Sequence, residues 1–348
     1  MSGVVFLLHR VYPDRGKRDD IDIDTFQRAL SLIKSRFKVV PLQAIFEEND
    51  TCRRAAITFD DGYADNFVYA YPVLKKLGIP AHIFITSGRI REEGVRRTLF
   101  DYWEGKVSFK ELFSPKSMHE GHVEFVRRGS SEEFLSWEEL DRMRDVFSFG
   151  AHGKYHFSFP VSPEIEDFYD GKNFRWTALL YSRELFIGLP LFKTGSELSG
   201  RKFYPSEEFL TFCKDFKKEG NWKESLKREV EKRFKTLGEF ETESIARERI
   251  ERELLESKAE IEEKLGVKVN TFAWPFGHYS EFSKEIAARV YDYIFTTKRG
   301  VVTEMSDFKE LPRVSLGKDI FTVLGRLFSF STDLGLSLYK FFKKGKVL

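Results

Sequence analysis

A chain of 348 residues can form two ordinary domains or one α/β barrel with insertions. Its 57 Lys and Arg against 55 Asp and Glu leave a formal charge of +2, which lacks the one-sided basicity of a nucleic-acid footprint, so no nucleic-acid partner is expected. Cys52 and Cys213 are too few and too far apart for a disulfide framework or a cysteine-rich zinc knuckle, and no run of about 18 apolar residues offers a transmembrane segment.

The apolar run at residues 3–8 has no basic n-region and ends at His9-Arg10, not at a small-residue cleavage site. It reads as a first strand, and the expected compartment is the cytoplasm. A helix follows from Ile23 to Phe37, with Phe26, Leu30 and Ile33 on one stripe. Ala55-Ala56-Ile57-Thr58-Phe59 then reads as a buried strand that runs into Asp60-Asp61-Gly62. A helical pattern from Asn66 to Leu77 stops at Gly78 with Pro80 just beyond, and Ala81 to Thr86 is strand again, which makes a βαβ unit.

Residues 88–135 read as loops and short helices. Ser136-Trp137-Glu138-Glu139 is a capping box, and Phe147 to Ala151 is a strand that ends at His152. From 157 to 240 the chain is rich in Phe, Tyr, Gly and Pro without βα alternation, as expected of an insertion. A charged helix spans Ile245 to Leu265, followed by a strand at Asn270–Trp274, a helix near Ser283–Val290, a strand at Tyr293–Thr297 and the segment Leu311–Leu316. Strands alternating with helices imply a parallel sheet whose chemistry gathers at the C-terminal strand ends.

Three strand ends carry polar residues suited to hydrolysis: Asp60-Asp61-Gly62, His152 to His156, and Ala273-Trp274-Pro275-Phe276-Gly277. Adjacent carboxylates are costly to hold together without a cation or proton between them. One carboxylate with two imidazoles spaced i, i+4 suits a divalent cation with open positions, and the second carboxylate could take a proton from water.

AAITFDDGYADNFVYAYPVLKKLGIPAHIFIT resembles the first signature of the polysaccharide deacetylase family, also called the NodB-homology domain or carbohydrate esterase family four. SFGAHGKYH resembles its histidine motif, and FAWPFGHY its third motif in the exopolysaccharide deacetylase variant, in the same order. The resemblance covers roughly residues 3–156 and 245–316. It implies a deformed (β/α) barrel with a large insertion, divided as a catalytic barrel at 1–156 and 241–320, the aromatic insertion at 157–240 and a C-terminal amphipathic segment at 321–348. It further implies Asp60 as general base, Asp61, His152 and His156 as ligands of zinc or of Co, Ni, Fe or Mn, and the Phe276 backbone N–H as an oxyanion donor. The implied reaction removes the N-acetyl group of an amino sugar in a polysaccharide or lipid-linked glycan, which makes an N-acetylated glycan or glycolipid the expected partner. A deformylase or other sugar amide hydrolase, and an inactive glycan-binding relative, are the alternatives.

The chain departs from the family pattern at three places. Gly153 stands where a Ser or Thr usually follows the first metal histidine, so a hydroxyl that supports the loop is missing. Ala273 occupies the place of an Arg that orients the catalytic carboxylate, a task Arg313 could take. No His occurs after His278, so His9 becomes the candidate general acid, as in some exopolysaccharide deacetylases. Of the insertion aromatics, Trp176, Tyr181 and Trp222 could stack on sugar faces, although packing is the simpler role. The apolar residues from Leu327 to Phe342, with a basic end, suit either a helix that closes the barrel or peripheral contact with a membrane.

Overall fold

The computed structural model describes residues 3–14, 20–46 and 53–344, with the side chains of Asp333, Lys340, Phe342, Lys343 and Lys344 left aside. Cys52 lies outside the described residues, and Cys213 is a buried free thiol.

Seven strands form the barrel path: β1 (Gly3–Leu8), β2 (Arg54–Asp61), β3 (Ala81–Ile85), β4 (Phe147–Ala151), β5 (Thr271–Ala273), β6 (Tyr293–Phe295) and β7 (Val314–Ser315). They run in the order β6-β5-β4-β3-β2-β1-β7, all parallel, with Lys38–Val39 added beside the start of β2. Every residue of β1 is buried, and β2 is buried from Ala55 onward, as expected of parallel strands covered on both faces. The sheet curls into a deformed (β/α) barrel. Between β6 and β7 the ring is bridged by a single pairing, Phe295 with Leu311, before Val314 and Ser315 join β1. That irregular closure places Arg313 inside the barrel mouth.

Register aligns the functional strand ends. Asp61 pairs with Ile85, Ile85 with Ala151, and Ala151 with Phe272, so the residues after each of these strands emerge at one level.

Helices cover the outside. In α1 (Ile23–Arg36), Asp22 caps the Thr25 N–H, and Phe26, Leu30 and Ile33 are buried against β1 and β2 neighbours in the main core. A π-helical turn at Asn66–Ala70 leads into α2 (Tyr71–Leu77), which ends at Gly78 in the left-handed conformation. The region 88–135 contains an eleven-residue helix, Met118–Arg128, longer than the short helices expected there. Its capping box, Ser117 with Glu120, is the start signal that was overlooked. Then come α3 (Trp137–Arg142), the long α4 (Glu243–Leu265), α5 (Glu281–Val290), α6 (Ile320–Ser331) and α7 (Asp333–Lys344).

Between residues 157 and 240, Ser158–Phe168 pairs antiparallel with Pro190–Ser196, and Phe203–Pro205 with Gly238–Phe240. Phe168, Phe192, Phe203, Phe209, Cys213, Leu226 and Val230 form an apolar cluster of their own, which explains the aromatic richness of this stretch as packing. Tyr181 and Trp222 belong to that packing. Trp176 instead reaches the barrel mouth.

Candidate active site and metal centre

The turn after β2 is built by an unfavourable backbone. Asp61 has φ 74° and Gly62 φ 85°, and the Gly62 N–H donates to the Asp60 carbonyl at 3.0 Å, closing a γ-turn around Asp61. Among the described residues three non-glycines have positive φ: Asp61, His156 (56°) and Phe276 (58°). All three sit at this mouth, where the His156 and Phe276 rings are 4.3 Å apart. Strain collected in one place, and held there by surrounding structure, is a mark of a functional site.

Asp61, His152 and His156 converge with their donor atoms within 4.8 Å of one another. Asp61 Oδ1 lies 3.4 Å from His152 Nε2 and 3.3 Å from His156 Nε2. His152 Nδ1 lies 2.8 Å from the Ala273 carbonyl, an acceptor, so this nitrogen carries a proton, and Nε2 is the ring nitrogen turned toward Asp61. Asp61 Oδ1 and His156 Nδ1 are buried without hydrogen-bond partners among the described residues. Burial is the largest influence on His156 and brings its pKa down to about 3, so the ring is neutral. A carboxylate oxygen and two imidazole Nε2 atoms gathered in one buried place form the donor set of a cation site. Four-coordinate bonds of about 2.1 Å give donor separations of about 3.4 Å, so the residues fit a small divalent ion.

Asp60 plays no part in that trio's closest contacts. Its oxygens receive a fork from Arg313, Nη1 to Oδ1 at 2.6 Å and Nη2 to Oδ2 at 2.8 Å, while Arg313 Nε donates to the Thr296 carbonyl at 3.2 Å. Burial pushes the Asp60 carboxyl up, yet Arg313, followed by His152, more than offsets this and lowers it. Asp60 therefore stands ionised, oriented and 3.8 Å from His152 Nε2.

His9 follows β1 and is fixed by its backbone, whose N–H donates to Asp20 Oδ2 at 2.7 Å. Its ring is about one-third exposed, 3.7 Å from the same oxygen. Desolvation pulls the imidazole pKa down, but Asp20, Asp61 and Asp60 raise it to about 9. Phe276 is 40% exposed, and its N–H meets no acceptor among the described residues. His278 is exposed beside it, and His82 is buried far from solvent between Ser148 and Thr271 hydroxyls.

Several residues at the site escaped sequence reasoning. Arg89, fully buried, donates to the Tyr155 and His156 carbonyls at 2.8 and 2.9 Å and lies 2.8 Å from His122 Nδ1, so it clamps the loop that carries the second histidine. His122 stacks on Trp176, with centroids 5.2 Å apart, and lies 6.0 Å from the His156 ring. Asp65 accepts from the Val11 N–H and from Arg10 Nε, both at 2.7 Å, while Asn66 donates to the His9 carbonyl at 3.0 Å. Asp65 and Asn66, just after the Asp-Asp-Gly motif, thus tie the His9 turn to the Asp61 turn. The missing hydroxyl next to the first histidine is replaced from elsewhere: Ser257 Oγ on α4 donates to the Gly153 carbonyl at 3.0 Å. Gly153 adopts φ 79°, and a Cβ there would lie 3.1 Å from Leu198 and 3.3 Å from Glu253.

Fold and site together define a parallel barrel with an Asp-His-His cluster at its mouth, and comparison with known proteins shows what this class is similar to. The sequence signature of the family described as Polysaccharide deacetylase matches residues 47–173, a span that takes in the first two of the three motifs and supports the resemblance read from them. The chain is similar to YxkH of Bacillus subtilis, which carries the polysaccharide deacetylase name, at 69% identity over 34 residues. That match spans 10% of this chain and 12% of the relative's length. Among solved structures, a de-N-acetylase from Aggregatibacter actinomycetemcomitans aligns with TM-score 0.58 at 13% identity over 94% of this chain and 99% of its own. The BpsB deacetylase domain of Bordetella bronchiseptica aligns at 0.55 and 17% over 90% and 95%, and IcaB of Ammonifex degensii at 0.52 and 18% over 93% and 95%. At these identities the likeness is one of fold, and it extends across nearly the whole chain.

Proposed function

We propose that the protein hydrolyses the N-acetyl group of an amino sugar in a polysaccharide or lipid-linked glycan, with a divalent cation, zinc in the first place, held by Asp61, His152 and His156. The observation that carries this reading is the division of labour between two adjacent carboxylates, one facing the Nε2 atoms of two histidines and the other forked by Arg313. When bound, the cation supplies Lewis acidity that acidifies the attacking water and draws charge from the acyl carbonyl.

Asp60 takes the proton of the water as its oxygen bonds to the acyl carbon. Arg313 keeps the Asp60 carboxylate ionised and aimed, so the base does not need to reorganise. The Phe276 N–H, on a backbone of positive φ and without an acceptor among the described residues, donates to the oxygen on which charge develops. When the carbon–nitrogen bond breaks, His9 gives its proton to the departing amine. A group held protonated at neutral pH by Asp20, Asp61 and Asp60 suits that task. Acetate and a free amino sugar are the products. Trp176, half-buried and stacked on the buried His122 next to His156, is the ring on which a sugar face can rest.

The test is to load the protein with zinc, incubate it with N-acetylglucosamine oligomers and with N-acetylated glycolipid precursors, and identify the acid released. Acetate in stoichiometry with new amine supports the reading. Formate from N-formyl substrates alone would make it a deformylase, and cation binding without any acid release would make it a glycan-binding relative that has lost turnover.

A further inference from the structure

Helices α6 and α7 each bury one face on the barrel and turn bulky apolar residues outward on the other. In α6, Val323, Leu327 and Phe330 enter the main core, while Phe321, Leu324 and Phe328, spaced three and four apart, are 81%, 38% and 49% exposed. In α7, Leu336 and Tyr339 pack on the same core, whereas Leu334, Leu338 and Phe341 are exposed. Tyr339 donates to the Arg299 carbonyl at 3.1 Å and its ring lies 5.0 Å from that of Phe330, which fixes α7 on the barrel. Six outward Phe and Leu side chains on two neighbouring helices exceed the scattered apolar residues of an ordinary surface. Charge follows the same segment: residues 317–348 hold six Lys and Arg against two Asp, in a chain whose formal charge is only +2.

We propose that the outward face of α6 and α7 docks on an anionic lipid bilayer. Apolar side chains that enter the headgroup boundary, together with basic residues that meet anionic lipid, are what interfacial helices require. A second copy of the chain is the poorer occupant, because a symmetric contact would set one basic segment against its own like. Position gives the docking a consequence. β7 runs parallel to β1 and the Leu316 N–H donates to the Leu7 carbonyl, so Phe321, a few residues on, starts α6 at the barrel end where His9 and Asp60 emerge. A docked protein holds its mouth near the headgroup plane, where a glycan carried on a lipid is presented. That consequence rests on the hydrolase reading, whereas the docking itself does not.

Co-sedimentation of the full chain with phosphatidylcholine vesicles, and with vesicles of equal phosphatidylcholine and phosphatidylglycerol, tests the proposal without any reference to turnover. Binding to the mixed vesicles at about 0.05 M salt, reduced at about 0.5 M, is expected. The double variant Phe321→Gln, Phe328→Gln should lose at least about tenfold in partition while its melting temperature and cation content stay unchanged. The variant Lys340→Gln, Lys343→Gln, Lys344→Gln should lose the preference for anionic vesicles. No sedimentation with either vesicle at low salt overturns the proposal, and so does equal binding by the Phe variant. A dimer in solution that the Phe substitutions disperse, with no vesicle binding, overturns it in favour of self-association. Repeating the measurement on Asp60→Asn separates the two readings, since docking must survive loss of hydrolysis.

Discussion

Arg313 has two tasks that a substitution would expose separately. Its fork on Asp60 is fully buried on the arginine side, and removing it leaves an unpaired carboxylate in the barrel mouth. Arg313→Gln should cost about 3–5 kcal/mol in denaturant unfolding at neutral pH. The sign with pH is specific: with the pair intact, the lowered Asp60 pKa contributes stability that is present above the ordinary aspartate value and lost as pH falls through the folded value. In the variant burial acts without its counterweight, so stability should improve on acidification and the difference from the parent should shrink. A constant difference across that range would separate Arg313 from Asp60. For His9, the proton that leaves with the amine sets the alkaline limb of the rate profile, at about 9 or lower once a cation offsets the pull of Asp61. His9→Gln should lower turnover by about 10²-fold or more, retain the cation and abolish that limb. Parental rates in this variant would return the acid role to another group. His9, Asp60, Asp61 and His152 were legible because each stands at the end of an apolar strand, and His156 because it lies four residues after His152. Arg89 was not, since its acceptors are backbone carbonyls about 66 residues away that carry no signature in sequence.

At the scale of elements, α4 does more than cover the sheet. Ser257 holds the Gly153 carbonyl, and Glu253, one turn earlier, lies 3.3 Å from the Lys154 N–H in the same loop. Burial first, and the neighbouring Glu197 second, push the Glu253 carboxyl up to about 8. A folded value above the unfolded one means that the stability this group allows is fully present below about 4.5 and is lost as pH rises toward about 8. Glu253→Gln should therefore flatten the decline in melting temperature over that window and leave the acid side unchanged, a result readable by thermal unfolding at a series of pH values. A steeper decline in the variant would mean that the carboxylate is stabilised in the fold. The sequence shows α4 plainly through its apolar stripe and Gly266, but not this support of the histidine loop, because Ser257 and Glu253 look like ordinary polar positions on a charged helix. The Met118–Arg128 helix was missed for a related reason: its buried residues are Gly121, His122 and Phe125, too few to make an apolar period.

At the scale of the whole molecule, barrel closure and site assembly are one event. Arg313 reaches Asp60 only because the segment from Leu311 to Ser315 bridges β6 to β1, and the cluster draws on strands β2 and β4 with a loop held by α4. Binding of a cation to this cluster is therefore linked to folding, and a chelator should lower the melting temperature of the loaded protein by several degrees. The order of strands and the three polar strand ends were visible in the sequence through hydrophobic runs and the motifs after them. The irregular closure and the outward faces of α6 and α7 were not, since Leu and Phe at helical spacing look alike whether buried or exposed. The central claim is that the two adjacent carboxylates have different tasks, and cation content measured beside turnover in Asp60→Asn and His156→Ala tests it most directly. The account predicts that Asp60→Asn keeps about one cation per chain while turnover falls about 10²- to 10⁴-fold, and that His156→Ala loses cation and turnover together. Equal loss of the cation in both variants, or a fully loaded His156→Ala, would contradict it.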